Sequence, residues 1–511
     1  MTLAHKLRQL PAERLLGIRR GLEKESLRSQ PSGALALTPH PAALGSPLTH
    51  PHITTDYSES QLELITGVHA SPEGCLDELT RIQQFVYRAL AAAGDEYLWV
   101  ASMPCGLPTD ETIPLGRYGS SNIGRAKSVY RMGLGHRYGR RMQTISGIHY
   151  NWSMPGLSND EHFALIRNFR RHAFLLLTLF GASPAVCPSF VEGRDHGLQR
   201  MSAGTLYHPH ATSLRMGRLG YQSDAQGSLA VSYNSLDGYA ASLHEALTQP
   251  YPSYEKIGVL NLGGEYNQLA TTLLQIENEF YGTIRPKRVI RSGERPLHAL
   301  RQRGVEYIEV RCMDLDPFEP VGINAQTLRF LDVFLLHCLL QDSPPDTPAE
   351  IAELGRNQHH TAAHGREPGL TLERGGQAVL LADWAHELLS ECEPIAKALD
   401  AAHKNGDQRD AYSAAVAAAV AAMAAPATLP SARALATIER DFDQRFTAFI
   451  RAQAELTRNA MLALPWPAEH QANFEAMAAV SVRRQQALEA EDQMDFETFR
   501  QHYVAAAGLN V

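Results

Sequence analysis

Two kinds of apolar spacing divide this chain. In its first 323 residues, three separated segments alternate polar with apolar residues or concentrate β-branched and aromatic ones: 17–28 (GIRRGLEKESLR), 145–153 (ISGIHYNWS) and 304–313 (GVEYIEVRCM). Alternation places one set of side chains on each face of a strand, so each segment predicts a strand. Between them, 76–93 and 162–179 repeat apolar residues at helical spacing. Strands and helices do not take turns regularly, which points to an α+β fold. From Asn324 onward the spacing is helical: 326–340, 378–402, the alanine-rich 411–425, 431–464 and 473–504, with Ser431 expected as an N-cap. Pro344, Pro345, Pro348 and several glycines predict a long loop over 341–376. The expected organisation is a sheet-containing core over 1–323 and a mostly helical part over 324–511 packed on it, as two units or one.

Composition narrows the function classes. Hydrophobic residues make up 44% and charged residues 20%, enough apolar material for a large core and too much for a disordered chain. A net charge of −8 argues against nucleic-acid binding as the main task. The six cysteines are scattered with no Cys-x-x-Cys pair, so a zinc ribbon and a thioredoxin-type motif are excluded and a reduced chain is expected. The first twenty residues carry charge throughout, and no window approaches the ~18 apolar residues of a membrane span. The expected location is therefore cytoplasmic, with no membrane and no nucleic-acid partner. Phosphate-loop, dinucleotide, zincin and nucleophile-elbow motifs are all missing.

Four segments carry candidate chemistry. Glu23 and Glu25 share one face of the first strand, where two carboxylates repel unless a proton or a cation sits between them. Asp56 and Glu63 lie seven apart, as two helical turns or as a turn followed by a strand. Glu63 stands between Leu62 and Leu64, where an acid needs either a salt bridge or a function. His149, Asn151 and Ser153 face away from Ile148, Tyr150 and Trp152. Glu309 and Arg311 share a face opposite Ile308 and Val310, with a surface ion pair as the simpler alternative. Hard oxygen ligands with at most one imidazole suit Mg²⁺ or Mn²⁺. Arg125, Arg131, Arg215, Arg285, Arg288 and Arg311 could hold phosphate beside them. Acids for a cation next to arginines for phosphate are the equipment of phosphoryl transfer.

At these residues the chain closely resembles the glutamate–cysteine ligases (γ-glutamylcysteine synthetases) of the proteobacterial type. The resemblance is carried by GIRRGLEKESLR (17–28), HPAALGSPLTHPHITTDYSESQLELIT (40–66), YGSSNIGRAKSVYRMGL (118–134), RYGRRMQTISGIHYN (137–151), LFGASPAVC (179–187), ATSLRMGRLGY (211–221), LQIENEFYGTIRPKRV (274–289) and GVEYIEVRCMDLDPFEPVG (304–322), in family order. It implies a glutamine-synthetase-like fold: a curved, largely antiparallel sheet with the active site on its concave face, backed by helices, and a helical C-terminal part. It implies that L-glutamate, L-cysteine and ATP are the substrates, that the first step of glutathione biosynthesis proceeds through γ-glutamyl phosphate, and that 1–323 is the catalytic core. Glu23, Glu25, Asp56, Glu63, His149 and Glu309 match the family's metal-binding positions, for Mg²⁺ or Mn²⁺. Arg131 and Arg311 match arginines at the transferring phosphoryl group, and Arg215 a substrate-binding arginine. Tyr57, Tyr130, Gln143, Tyr221 and Tyr281 match the lining of the cysteine pocket. Glutathione is the implied feedback inhibitor and a monomer the implied state. Tyr57, and Gly282-Thr283 after Tyr281, depart from the familiar pattern and motivate an alternative: a related γ-glutamyl ligase using another amine.

Overall fold

A computed structural model describes residues 3–220, 224–227, 229–291, 293–403 and 409–505. The site is built on one antiparallel sheet formed by β1 (Arg19–Ser29), β2 (Ile53–Thr55), β3 (Gln61–Ile65), β4 (Tyr97–Leu98) and β5 (Ile148–Ser153), completed by two strands from later in the chain. A smaller antiparallel sheet comes between: β6 (Ala185–Val186), β7 (Gln199–Ser202) and β8 (Thr205–Tyr207), ordered β6-β8-β7. With β9 (Ile284–Lys287) and β10 (Tyr307–Met313), the main sheet runs β2-β3-β1-β5-β10-β9, and β4 pairs with β1. All three segments expected as strands are strands, and 76–93 and 162–179 fall within the helices Pro72–Ala93 and Asn159–Phe180. Ser158 and Glu161 close a capping box that starts the second of these. The architecture is mixed α and β with antiparallel sheets and a helical C-terminal part, as expected.

Period-two alternation decides which face is buried. Leu22, Leu62, Leu64, Ile148, Tyr150, Trp152, Ile308 and Val310 are all at most 1% exposed. They form one cluster with Phe85 of Pro72–Ala93, Phe169 of Asn159–Phe180 and Phe334 of Ala325–Leu340. Burying each such side chain is worth ~1.5–3 kcal/mol. Charged groups of β1 join this face as well: Arg20 Nη2 lies 2.7 Å from Asp332 Oδ2, the Tyr150 hydroxyl donates to Asp332 Oδ1 at 2.6 Å, and the buried Lys24 donates to the Ser26 hydroxyl at 2.7 Å. The Tyr412 hydroxyl also reaches Asp332, at 3.4 Å, tying the sheet to the alanine-rich helix Ala411–Ala424. That helix buries Ala415, Val416 and Ala419 beside Ala325–Leu340 and Leu381–Ala402.

Several expectations are corrected. Segment 341–376 is not a long loop: it holds the helix Pro348–His364 and strand β11 (Thr371–Arg374), which turns through Gly375 and Gly376 into β12 (Gln377–Leu380). Pro348 occupies the first helical turn, where it costs no hydrogen bond, and Thr347 caps the helix by accepting from the Glu350 amide. Ser431 is not an N-cap: the helix Pro430–Asp441 starts one residue earlier, after Leu429. Segment 431–464 splits into Pro430–Asp441 and Phe446–Ala463, because Asp443 and Gln444 take left-handed φ values of 49° and 60°. Segment 473–504 splits into Ala468–Glu491 and Phe496–Val504, the latter capped by Asp495. Cys105 and Cys187 form a disulfide with their Cα atoms 5.1 Å apart, against the expectation of a reduced chain. They are 82 residues apart in sequence, so only the tertiary fold brings them together.

Candidate active site

Strand register builds the site on the face of the sheet opposite the apolar core. Glu25 on β1 pairs with Glu63 on β3, and Glu23 on β1 with His149 on β5. Glu309 on β10 pairs with Asn151 on β5 and with Arg285 on β9. Four strand pairings thus line up acids, an imidazole and a guanidinium across neighbouring strands. Asp56 arrives from the turn between β2 and β3, where its amide donates to the Gln61 carbonyl at 3.0 Å. The seven-residue spacing to Glu63 is therefore a turn followed by a strand.

These groups line a cavity of about 610 Å³. Glu23, Glu25, Asp56, Glu63, His149, Glu309, Arg131, Arg311, Tyr57, Tyr130, Gln143 and Tyr281 all face it. Arg215 does not. It is 1% exposed and lines a neighbouring crevice of about 60 Å³ together with Tyr281 and Arg311, and its Nη2 donates to the Arg311 carbonyl at 2.8 Å. Gly147 permits that approach, since a Cβ there would lie 2.0 Å from Arg215 Nη2. Tyr221 lies outside the described residues. Arg125 packs on the Phe496 ring and Arg288 donates to the Gly304 carbonyl, both away from the acids. Lys127 and Lys287 also line the cavity, and no sequence motif singles them out. Lys287 falls two residues after Arg285 on a four-residue strand interrupted by Pro286, too short for alternation to register.

Hydrogen bonds and ion pairs hold three of the acids, Glu23, Glu25 and Glu309. His149 Nδ1 lies 3.2 Å from Glu23 Oε2, and His149 Nε2 lies 3.6 Å from Glu25 Oε1. Asn151 donates to Glu23 Oε1 at 2.8 Å, and the Gly147 amide donates to Glu25 Oε2 at 2.7 Å. Lys287 Nζ and Arg311 Nη1 flank Glu309 at 3.1 and 2.9 Å. Arg131 donates to the Asp56 and Lys127 carbonyls and lies over the Tyr118 ring, so its guanidinium is held in place. Gln143 donates to the Tyr281 hydroxyl at 2.5 Å. The Tyr57 hydroxyl is buried without a hydrogen-bond partner among the described residues.

Charge is unevenly shared. Burial, then the nearby Asp56, pushes Glu25 up to about 8. Burial together with Glu23, Asp56 and Glu25 holds Glu63 well above the ordinary carboxylate range. Burial would raise Glu309 too, but Lys287 and Arg311 hold it well below that range. One end of the cavity is an acid cluster short of positive charge, and the other is a carboxylate clasped by cations. A hard divalent cation fits the first end: ligand atoms of Glu23, Glu63 and His149 all lie within 4.8 Å of one another.

Comparison with known proteins agrees with this geometry. A family model described as glutamate-cysteine ligase matches residues 5–361. A glutamate–cysteine ligase of Alcanivorax borkumensis is 46% identical over 96% of both chains. One from Azotobacter vinelandii is 48% identical over 95% of this chain and 94% of its own. Among solved structures, a glutamate–cysteine ligase of Francisella tularensis in complex with AMP superposes with a TM-score of 0.90 at 35% identity, covering 96% of this chain and 98% of that one. A bifunctional glutathione synthetase of Pasteurella multocida superposes with a TM-score of 0.66 at 25% identity, covering 98% of this chain and 57% of that one. Together with an antiparallel sheet that gathers its acids on one face, these matches show that the chain belongs to the glutamate–cysteine ligase family.

Proposed function

We propose that this protein joins the γ-carboxylate of L-glutamate to the amine of L-cysteine at the expense of ATP, giving γ-glutamylcysteine for glutathione synthesis. The observation that carries this reading is the cavity in which a carboxylate cluster meets Lys287, Arg131 and Arg311 in a chain of this family. A γ-carboxylate oxygen attacks the terminal phosphorus of ATP; the O–P bond forms and the bond to ADP breaks. The cysteine amine then attacks the acyl carbon; the C–N bond forms, the C–O bond to phosphate breaks, and the amine loses a proton. Both steps press anions together, so positioning and charge stabilisation do most of the work.

Glu23, Glu25, Asp56, Glu63, His149 and Glu309 would hold Mg²⁺ or Mn²⁺, which when bound screens the two reacting anions. Arg131 and Arg311 offer planar N–H forks suited to the oxygens of the moving phosphoryl group. Lys287 adds a positive charge at the same end of the cavity. Tyr57, Tyr130, Gln143 and Tyr281 form the amine-acceptor wall, where the unpaired Tyr57 hydroxyl offers a polar contact to the incoming amino acid. Arg215 orders that wall from the adjacent crevice and takes a substrate carboxylate there. Residues 1–323 act as the catalytic core and 324–511 as its helical support. Glutathione competes as an inhibitor because it carries both the glutamyl and the cysteinyl halves. The protein works as a cytoplasmic monomer; no helix among the described residues is long and apolar enough to cross a membrane.

Coupled ADP release with glutamate, Mg²⁺ and a panel of amines tests the reading. Turnover is expected with cysteine, less with 2-aminobutyrate, and none after complete chelation. Indifference to cysteine, with an alkylamine preferred, would overturn it.

A further inference from the structure

A second cavity, of about 670 Å³, opens on the far side of the segment that carries Arg215. Its walls come from residues 194–197, from His208 just after β8, from residues 214–219 and from the helix Pro348–His364. None of the residues lining the acid cavity lines this one. Its lining is different in kind. Arg194, Arg218 and Arg356 face it, and Asp195 is the one acidic residue lining it among those described. Arg356 is neutralised by Glu373 at 2.6 Å, whereas Arg194 and Arg218 form no ion pair among the described residues.

Five histidines complete the wall: His196, His208, His359, His360 and His364. The rings of His208 and His364 are 5.9 Å apart, and those of His360 and His364 are 6.4 Å apart. Burial, then Arg218 and His360, pushes His359 down to about 4, and burial with His364 and His196 lowers His208. The groups on this wall resist one another's positive charge. His364 lies 3.0 Å from Glu367, and the lowered His359 and His208 favour the neutral imidazole, so the wall offers an anion the guanidiniums of Arg194 and Arg218 together with ring N–H donors around a space of ligand size.

We propose that this cavity is a second ligand site, separate from the acid cavity, which takes a small molecule bearing several oxyanion groups, either a phosphate chain or a polycarboxylate. The guanidiniums of Arg194 and Arg218 suit oxyanion oxygens, and the imidazoles of the 348–364 helix line the same cavity. A single phosphate would not span such a space; two or three linked anionic groups do. The cavity is also wired to the reaction. Gln358 donates to the Met216 carbonyl at 3.0 Å, and the Thr212 and Ser213 amides donate to the Ala362 carbonyl at 2.9 and 3.2 Å. An anion drawing Arg218 toward this helix therefore bears on the segment that seats Arg215. That coupling rests on the ligase reading; the binding itself does not.

The test reads binding, so it stands whether or not the ligase reading does. The full chain, in buffer freed of metal over a chelating resin and containing no soluble chelator, is titrated calorimetrically with tripolyphosphate and, separately, with citrate. At least one probe is expected to bind wild type, to bind Arg311→Ala with similar affinity, and to bind the Arg218→Ser, His359→Gln double variant at least tenfold more weakly. The tighter probe names the source of the anion. Arg194→Ser, at an exposed position, repeats the test if the double variant does not fold. No binding of either probe to wild type, or affinity in the cavity variants within tenfold of wild type, would overturn the proposal.

Discussion

The two faces of the main sheet differ in what they do with charge. On the helix-packed face, Asp332 is matched by Arg20 and two tyrosine hydroxyls, the buried Lys24 donates to the Ser26 hydroxyl, and apolar side chains fill most of the rest. On the open face, Glu23, Glu25, Asp56 and Glu63 crowd together with no lysine or arginine ion pair among the described residues, and burial keeps Glu25 and Glu63 reluctant to ionise. The same strands build both faces, one residue apart. A fold that neutralises an acid when the acid is structural leaves four of them without a lysine or arginine ion pair among the described residues, at the cavity proposed to take a cation and two anionic substrates. The lesson is that excess like charge on a rigid sheet stores readiness for a ligand, whereas paired charge stores only stability.

The sharpest way to break this contrast is Glu309→Gln. Loss of the charge between Lys287 and Arg311 should cut cysteine-dependent ADP release by ~10²–10³-fold, with circular dichroism unchanged. Normal turnover at saturating Mg²⁺ would remove Glu309 from the site. On the other face, Asp332→Ala should do the reverse. Leaving Arg20 buried and unpaired costs about 3–5 kcal/mol in chemical denaturation, while turnover of the folded fraction in the cold stays near wild type.

A smaller effect sharpens the account of the crowded acids. Mg²⁺ should stabilise wild type by about 2.7 kcal/mol at a hundred times its dissociation constant, and Glu63→Gln by clearly less. In chelator the variant should melt no lower than wild type, since it loses repulsion and not a partner. The last effect lies in the helical layer and shows only as a slope with pH. Burial and the neighbouring His337 hold His172 down at about 3. The unfolded chain takes up that proton first, near pH 6.5, so the stability it protects is complete above that pH and lost as pH falls toward 3. His172→Gln should flatten this dependence by up to about 1.4 kcal/mol per pH unit, measured by denaturant titration between pH 6.5 and 4.

Much of the site is legible along the chain because strands write their faces at period two. Glu23 with Glu25, His149 opposite Tyr150, and Glu309 with Arg311 can be read off as facing pairs. Lys287 escapes that reading on its short, Pro-interrupted strand, and Lys127 sits in a helix whose surroundings the chain does not announce. Pro348 misleads for a different reason: the same residue that breaks a helix interior starts a helix at its first turn.

By itself, the sequence determined which residues alternate, which segments coil, and, through its motifs, which family the chain belongs to. The tertiary structure alone decided that Glu25 sits beside Glu63 and Glu309 beside Asn151, that Cys105 meets Cys187, that Arg215 lies in a side crevice, and that five histidines and three arginines surround one cavity. The reason is range. Periodicity is a local property of a few residues, while register, disulfide pairing and cavity walls join groups tens to hundreds of residues apart, and only packing of the whole chain fixes which of them touch.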